Sequence, residues 1–417
     1  MTHLSTGGAC PYSQQVADEF RPFDIADPFA FYARAREEAP IFYSAELDYW
    51  VVSRYEDVRA IFKDPATFSS ENTQSSYKAR PAAVQRVLDE GGFQGHSGLS
   101  ARQPPDHTRI RAFVNKAFTP RRVASLEPFI RDLAERTIGA FEGDGEADLV
   151  SQLSYDLPAL VIFKLLGVPD EDVPNVKEWA LSRVLMNFGD PGEEEQLGHA
   201  RNLVKYWNYC VALIESRLET PTDDLPGDMA RVYNSGDHTV GTHEMASLVY
   251  GMLTAGHETT TNLLSNAFRD LLTHREQWER LVADPAKIPG AVEEMLRYAP
   301  SVFTWKRKVK KPATVAGVEL PVGANVLLLL GSANRDPAQF ERGDELDVER
   351  SNAREHLAFG LGIHYCLGAP LARLESRVVL EELTRRLPGL RLKAQDFTFA
   401  PNTSFRGPDQ VLVQWEV

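Results

Sequence analysis

Cysteine is scarce in this chain, with three among 417 residues: Cys10, Cys210 and Cys366. Three scattered thiols exclude a disulfide framework and a multi-cysteine zinc or iron–sulfur site, and they suit a reducing compartment. Long apolar runs are missing too. Nothing approaches the ~20 residues that a membrane helix needs, and no basic segment followed by an apolar stretch opens the chain. A cytoplasmic protein with no membrane partner is the expectation. Positive charge is in deficit, with 45 Lys and Arg against 59 Asp and Glu and a formal net charge of −14. General affinity for nucleic acid relies on neutralising phosphates, so nucleic acid is set aside and small molecules become the expected partners. No internal repeat or low-complexity linker divides the sequence. Length alone leaves the domain count open; residues 1–20 read as a polar, weakly structured leader and 21–417 as one domain.

Helical periodicity dominates what is there. From Arg111 to about Leu281 the apolar positions recur mainly at helical spacing, interrupted by clusters such as Asp190-Pro191-Gly192 and Leu225-Pro226-Gly227. Tyr49-Trp50-Val51-Val52 has strand composition, and Tyr55 to Phe62 returns to a helix. Thr314 to Leu320 predicts a hairpin, Asn325 to Leu330 a buried strand, and Gln410 to Trp415 a final strand. The fold class is mainly α with a minor β region.

Near the end, Phe359-Gly360-Leu361-Gly362-Ile363-His364-Tyr365-Cys366-Leu367-Gly368 sets one cysteine among glycines. Leu371, Leu374, Val378, Leu383 and Leu387 then recur at roughly helical spacing. Cys366 therefore faces the positive end of a helix dipole and free backbone N–H groups, which favour its anion. Gly360 and Gly362 can take positive φ, and Gly368 leaves room for a large flat ligand. A lone cysteine is by itself more often a small buried hydrophobe. A dinucleotide loop is the rival reading of the glycines, but Tyr365 stands where a third glycine would be needed. The segment resembles the haem-thiolate signature Phe-Gly-x-Gly-x-His-x-Cys-x-Gly of the cytochrome P450 family and matches all six specified positions. That resemblance implies the cytochrome P450 fold, a haem b cofactor held near Phe359, Gly360 and Gly368, and iron bound by Cys366.

A second constellation, Ala255-Gly256-His257-Glu258-Thr259-Thr260, lies in a helix that should start near Thr242. Met245, Leu248, Val249, Met252 and Leu253 form its inward stripe, continued by Leu263, Leu264, Phe268 and Leu271. About thirty residues would span ~45 Å, enough to cross the molecule. Glycine and consecutive threonines weaken a helix, and a threonine hydroxyl bonding back to a carbonyl can bend it. Read without Cys366, Ala-Gly only permits tight helix packing and Glu258 is a solvated charge. Read with it, the segment is similar to the family's oxygen-activation motif. The likeness implies that Ala255 and Gly256 border the haem and leave space for dioxygen, and that Glu258 and Thr259 deliver protons.

His107 and Arg111 stand four apart, on one face of a helix. The pair resembles the family's His-x-x-x-Arg clamp for the haem propionates, and Arg307 and His356 fall where the family supplies further partners. Glu294 and Arg297 at i and i+3 resemble its Glu-x-x-Arg motif, for which Arg350 is the matching third member of a buried structural network.

The resemblance also implies substrate over the haem face opposite the cysteine. Matching variable positions are Met252, Leu253, Val302, Phe303, Thr304, Trp305 and Phe405, walls that suit a hydrophobic aromatic or alkyl compound. Glu71 to Leu99, rich in Ser, Gln and Gly, reads as a mobile entrance lid. The chain carries no flavin or nicotinamide fingerprint and no cysteine spacing for a 2Fe–2S cluster, so electrons must come from a ferredoxin or a flavin/2Fe–2S reductase, separate or fused. Arg109, Lys116, Arg121 and Arg122 offer a positive docking face for it, with a solvated helix face as the alternative. The stretch from Ser404 to Trp415 also resembles the haem portion of self-sufficient bacterial members, so an excised catalytic domain is one expectation. The activity implied is a haem-thiolate monooxygenase acting by hydroxylation, epoxidation or dealkylation. Alternatives are a peroxide-driven peroxygenase, which usually lacks the acid–alcohol pair, and a haem-binding sensor or carrier.

Overall fold

Tyr49–Val52, rich in aromatic and β-branched residues, forms a strand that is buried at every position, which is why it shows no polar alternation. It pairs antiparallel with Ile41–Ser44 and parallel with Asn325–Leu329. Thr304–Val309 follows antiparallel, and Phe68–Ser69 closes the edge of this five-stranded sheet. The register sets Arg307 opposite Val326, deep within the sheet. A computed structural model describes residues 12–24, 26–95 and 98–417.

Ala313–Val315 and Val318–Leu320 form the expected hairpin, turning through Ala316 and Gly317, both at positive φ. The final strand is shorter than expected, Leu412–Gln414, between Glu146–Asp148 and Arg391–Leu392. The buried strand ends at Leu329, because Leu330 begins a short helix.

Helices make up the rest. The longest, Thr242–Thr273, starts where the sequence indicates and packs against Leu157–Leu166, Val173–Phe188 and Glu193–Glu219. Its Met245, Leu248, Val249 and Leu253 join one large core with Leu263, Leu264, Phe268 and Leu271. Ala369–Arg386 buries Leu371, Leu374, Val378 and Leu383 in that same core. Asp190-Pro191-Gly192 separates two helices as expected. Leu225-Pro226-Gly227 does not break one: it is a first turn, capped by the Asp224 carboxylate accepting from the Gly227 N–H at 2.7 Å, where proline needs no donor.

Two other expectations are corrected. Residues 1–11 lie outside the described residues, but Gln14–Glu19 is a helix whose Val16 is fully buried, and the Tyr12 hydroxyl donates to the Ala316 carbonyl at 2.7 Å. Part of the supposed leader is thus core, because Val16 and Phe20 supply apolar surface that packs with Phe42. The supposed lid contains the helix Ala82–Glu90, which buries Val84 and Leu88. Ahead of that helix, Gln74 accepts from Arg183 and the Ser76 hydroxyl donates to the Met186 carbonyl.

The Glu294–Arg297 pair is fully buried, with Arg297 bidentate at 2.7 Å on both bonds. Arg350 joins at 3.2 Å, and Arg297 also donates to the carbonyls of Asn334, Gly343 and Glu345. This network pins the loop that leads to the cysteine.

Candidate active site

Cys366 sits immediately before the helix Ala369–Arg386. Its own N–H donates to the Phe359 carbonyl at 2.9 Å, closing the loop on itself. Gly360 and Gly362 do take positive φ, +67° and +73°, and a Cβ at Gly362 would stand 2.8 Å from the Phe62 carbonyl oxygen. Only glycine meets both demands there. The backbone N–H groups of Gly368 and Ala369 lie near enough to the sulfur to favour its anion. Burial pushes the thiol up; those two donors and the charges of Arg111 and Arg373 pull the other way, toward thiolate. A Cβ on Gly368 would lie 3.8 Å from the sulfur, so glycine keeps that flank low. The Phe359 ring is held under the Arg373 guanidinium at 4.7 Å.

Four cation-capable side chains gather around this loop. His107 and Arg111 come from the helix Asp106–Ala117, Arg307 from the sheet, and His364 from the turn two residues before the cysteine. The His107 and His364 rings meet edge to face, with centroids 4.3 Å apart. Nε2 of His107 is buried without a hydrogen bond. Burial, then the charges of Arg307, His107 and Arg111, hold His364 down to about 3. Burial alone lowers Arg307 to about 9. No carboxylate pairs with any of the four among the described residues, so Arg111 and Arg307 are unanswered charges with two neutral imidazoles beside them. A flat ligand bearing carboxylates, with a metal that takes the sulfur, fits these residues.

His356 does not join this set. Its Nε2 is 3.2 Å from Glu293, which also takes both arms of Arg373, and its Nδ1 accepts from the Ala358 N–H. The nearby carboxylate claims it, and His364, unassigned from the sequence although it lies inside the cysteine motif, stands in the place expected for it.

The second constellation lies on the long helix Thr242–Thr273. Between buried stretches at 245–250 and 263–272, positions 251, 252, 255, 256, 258, 259 and 262 are partly or fully exposed. A core helix can show such a stripe only beside open space. Ala255 is exposed there, and the Thr259 hydroxyl donates to its carbonyl at 2.6 Å without interrupting the helix. Gly256 is different: a Cβ would come within 2.5 Å of Ile162 Cγ1, so its missing side chain serves packing against the helix Leu157–Leu166. Leaving space for dioxygen is not what this position is shaped for. Glu258 is pushed up to about 7 by burial, opposed by Lys177. Its Oε1 is 3.5 Å from His257 Nδ1, and His257 is buried.

The proposed substrate walls divide. Phe303 is fully buried against Phe29 and Tyr32, Thr304 donates to the Thr403 carbonyl at 2.8 Å within the core, and Leu253 is fully buried. Packing claims these three, because each is buried against neighbouring elements. Met252, Val302, Trp305 and Phe405 remain partly exposed. Val302 and Phe405 form an isolated bridge, and Phe188 packs against both Phe405 and Trp305.

The expected positive docking face is largely neutralised. Arg109 is bidentate with Glu244, Lys116 pairs with Asp237 at 2.5 Å, and Arg122 meets Asp223 and Asp228. Among the described residues no helix is long and apolar enough to cross a membrane.

Comparison with known proteins matches residues 197–396 to the family model "Cytochrome P450". The mycinamicin IV hydroxylase/epoxidase of Micromonospora griseorubida is 37% identical over 88% of this chain and 89% of that protein. The solved structure of cytochrome P450 CREJ in complex with (4-ethylphenyl) dihydrogen phosphate is 45% identical, with a TM-score of 0.94 over 96% of this chain and 100% of that one. An intact type IV self-sufficient cytochrome P450 monooxygenase is 38% identical, with a TM-score of 0.92; the match covers 97% of this chain and 54% of that one.

Proposed function

The chain belongs to the cytochrome P450 family and is a haem monooxygenase, and from that premise we propose that it inserts one oxygen atom into a hydrophobic aromatic or alkyl small molecule. Hydroxylation, epoxidation and dealkylation are the reaction types within this reading. The observation that carries it is a cysteine held in a glycine loop closed by its own N–H on the Phe359 carbonyl, beside His107, Arg111, Arg307 and His364, which have no carboxylate partner among the described residues. The aromatic ligand of the similar CREJ structure supports an aryl-alkyl substrate.

Haem b, bound through Cys366, supplies the redox chemistry that activates dioxygen. The residues around it hold and protonate. N–H groups of Gly368 and Ala369 favour the anion against the cost of burial, and would support a thiolate bound to iron. His107, Arg111, Arg307 and His364 answer the two propionates, and charge-assisted hydrogen bonds are the strong way to hold carboxylates once water is excluded. The buried Nε2 of His107 gains a partner in that arrangement.

Glu258 and Thr259 manage protons on the opposite face. A carboxyl pushed up to about 7 both takes and gives a proton near neutrality. The Thr259 hydrogen is engaged by the Ala255 carbonyl, so Oγ1 presents its lone pairs as an acceptor and holds a donor in place.

Electrons come from a reductase, either a separate ferredoxin or flavin partner or a fused domain. The self-sufficient enzyme, of which the match covers about half, makes a fused reductase one form to test beside a separate partner. Exposed Ile363 and Tyr365, flanked by Arg111 and Arg373, give a donor its nearest approach to Cys366.

The test is direct. Purified protein is reduced under carbon monoxide and then supplied with a surrogate reductase and 4-ethylphenol. A thiolate-type spectrum and an oxygenated product are expected. An imidazole-type spectrum in folded protein overturns the reading.

A further inference from the structure

Buried arginines normally meet carboxylates, because an uncompensated guanidinium in a low-dielectric setting is costly. Arg183, on the helix Val173–Phe188, is 7% exposed and has neutral partners only. It donates to the Tyr250 carbonyl and to Gln74 Oε1, each at 3.1 Å, and lies 4.5 Å over the Tyr250 ring. Arg80 has a buried Nε with no hydrogen bond, and it forms no ion pair among the described residues. Both guanidinium groups act electrostatically on the Tyr250 phenol. One guanidinium thus sits on the ring and a second acts on the same phenol, and neither has an ion pair among the described residues.

Their position ties them to the active site. The Tyr250 ring packs against Phe93, Tyr206 and Trp207, away from the exposed stripe that begins at Gly251, and the helix neighbour that joins the two faces is Ser247, at i−3 from Tyr250 and i−4 from Gly251. Ser247, one turn before Gly251 on that same face, is 4% exposed and its hydroxyl has no partner. A hydroxyl and two guanidinium groups offer donors and no acceptor charge, the complement of an oxyanion. The contrast with Lys306 is instructive: that buried ammonium is satisfied by the carbonyls of Ser75 and Asn187 at 2.7 and 3.0 Å, as Arg80 is not.

We propose that Arg80, Arg183 and Ser247 form a subsite that binds an oxyanion substituent, phosphate or carboxylate, carried by the aromatic substrate. The inference rests on reading the open space beside Ala255 as the substrate site. The anion neutralises the paired guanidinium groups, bidentate geometry at Arg fixes its orientation, and the apolar remainder of the molecule extends along the stripe toward Thr259.

The experiment is calorimetric titration of the haem-loaded protein with 4-ethylphenyl phosphate, 4-ethylbenzoate and neutral 4-ethylphenol. At least one anionic probe is expected to bind tenfold or more tightly than the phenol, and the better of the two identifies the group. Arg80→Gln should reduce that preference to about twofold or less while leaving phenol binding unchanged. Arg80→Lys should restore part of it. Arg183→Gln should act in the same direction, but it is the more buried change, so Arg80, half-buried, is the decisive variant. Equal affinity for all three probes, or a preference that survives Arg80→Gln, overturns the proposal. Binding needs no reductant or turnover, so this result is independent of the carbon-monoxide spectrum and product assay that judge the monooxygenase reading.

Discussion

His107 and His364 meet edge to face with ring centroids 4.3 Å apart, and neither has a carboxylate partner among the described residues. Two helical segments far apart in sequence are brought together at this contact, next to Arg111 and Arg307. If the cluster holds haem carboxylates, His364→Phe should accelerate transfer of haem to an apoprotein acceptor. A charge-assisted hydrogen bond contributes about 1.5–3 kcal/mol, or roughly ten- to hundredfold in rate. His356→Phe should loosen the Glu293–Arg373 contacts and lower the thermal midpoint more than it speeds haem loss. Equal haem loss in both variants would contradict the assignment.

Thr259→Ala removes the hydroxyl held at 2.6 Å from the Ala255 carbonyl. The variant should keep its haem and consume reductant at a comparable rate, but divert much of it to peroxide. The ratio of product to electrons consumed measures this, and tight coupling in the variant would count against a role for Thr259.

Burial raises Glu258 from 4.5 to about 7. A carboxyl whose folded pKa is raised binds its proton more tightly in the folded state, so its ionisation opposes folding as pH rises. The cost appears above the unfolded value, grows through the interval from 4.5 to about 7, and levels off above it. Glu258→Gln should therefore match the parent near pH 4.5 and exceed its thermal midpoint at pH 8. The same variant should slow oxygenation. A stability difference independent of pH would show that Glu258 ionises freely in the folded protein.

Gly256→Ala sets a methyl 2.5 Å from Ile162 Cγ1. Overpacking of this kind costs about 1–3 kcal/mol, and the helix backbone has little freedom to yield. Trimming the neighbour with Ile162→Val or Ile162→Ala should recover part of the loss in the double variant. A neutral Gly256→Ala would mean that the glycine matters for space on the opposite, exposed side.

Arg297→Met leaves Glu294 fully buried with a weaker partner in Arg350, at 3.2 Å. Loss of about 3–5 kcal/mol is expected, with haem content falling alongside. Chemical denaturation measures it. A change below about 1 kcal/mol would mean that Arg350 alone compensates the acid.

The reach of the sequence differs from one residue to the next. Cys366 and its glycines could be read directly, because a loop that wraps a sulfur needs positive φ at Gly360 and Gly362, and only one residue type supplies it cheaply. The long helix could be read as well: period and length fix a 32-residue element whatever it packs against. Gly256 could not. Tight packing and space for a ligand leave the same letter in the sequence, and Ile162, which decides between them, is brought alongside only by folding. His356 and His364 present the same difficulty, since nothing local distinguishes an imidazole beside Glu293 from one beside Arg307.

Local chemistry, carried by residue type and short spacing, thus determined most of the elements and the glycine-rich cysteine loop, while the acid–alcohol pair was legible only through the family resemblance. Tertiary structure decided which charges are answered and which are not. Arg109, Lys116 and Arg122 turn out to be paired, while Arg80 and Arg183 have no carboxylate partner among the described residues. Electrostatic compensation acts through space over a few ångströms, and those neighbours come from distant parts of the chain.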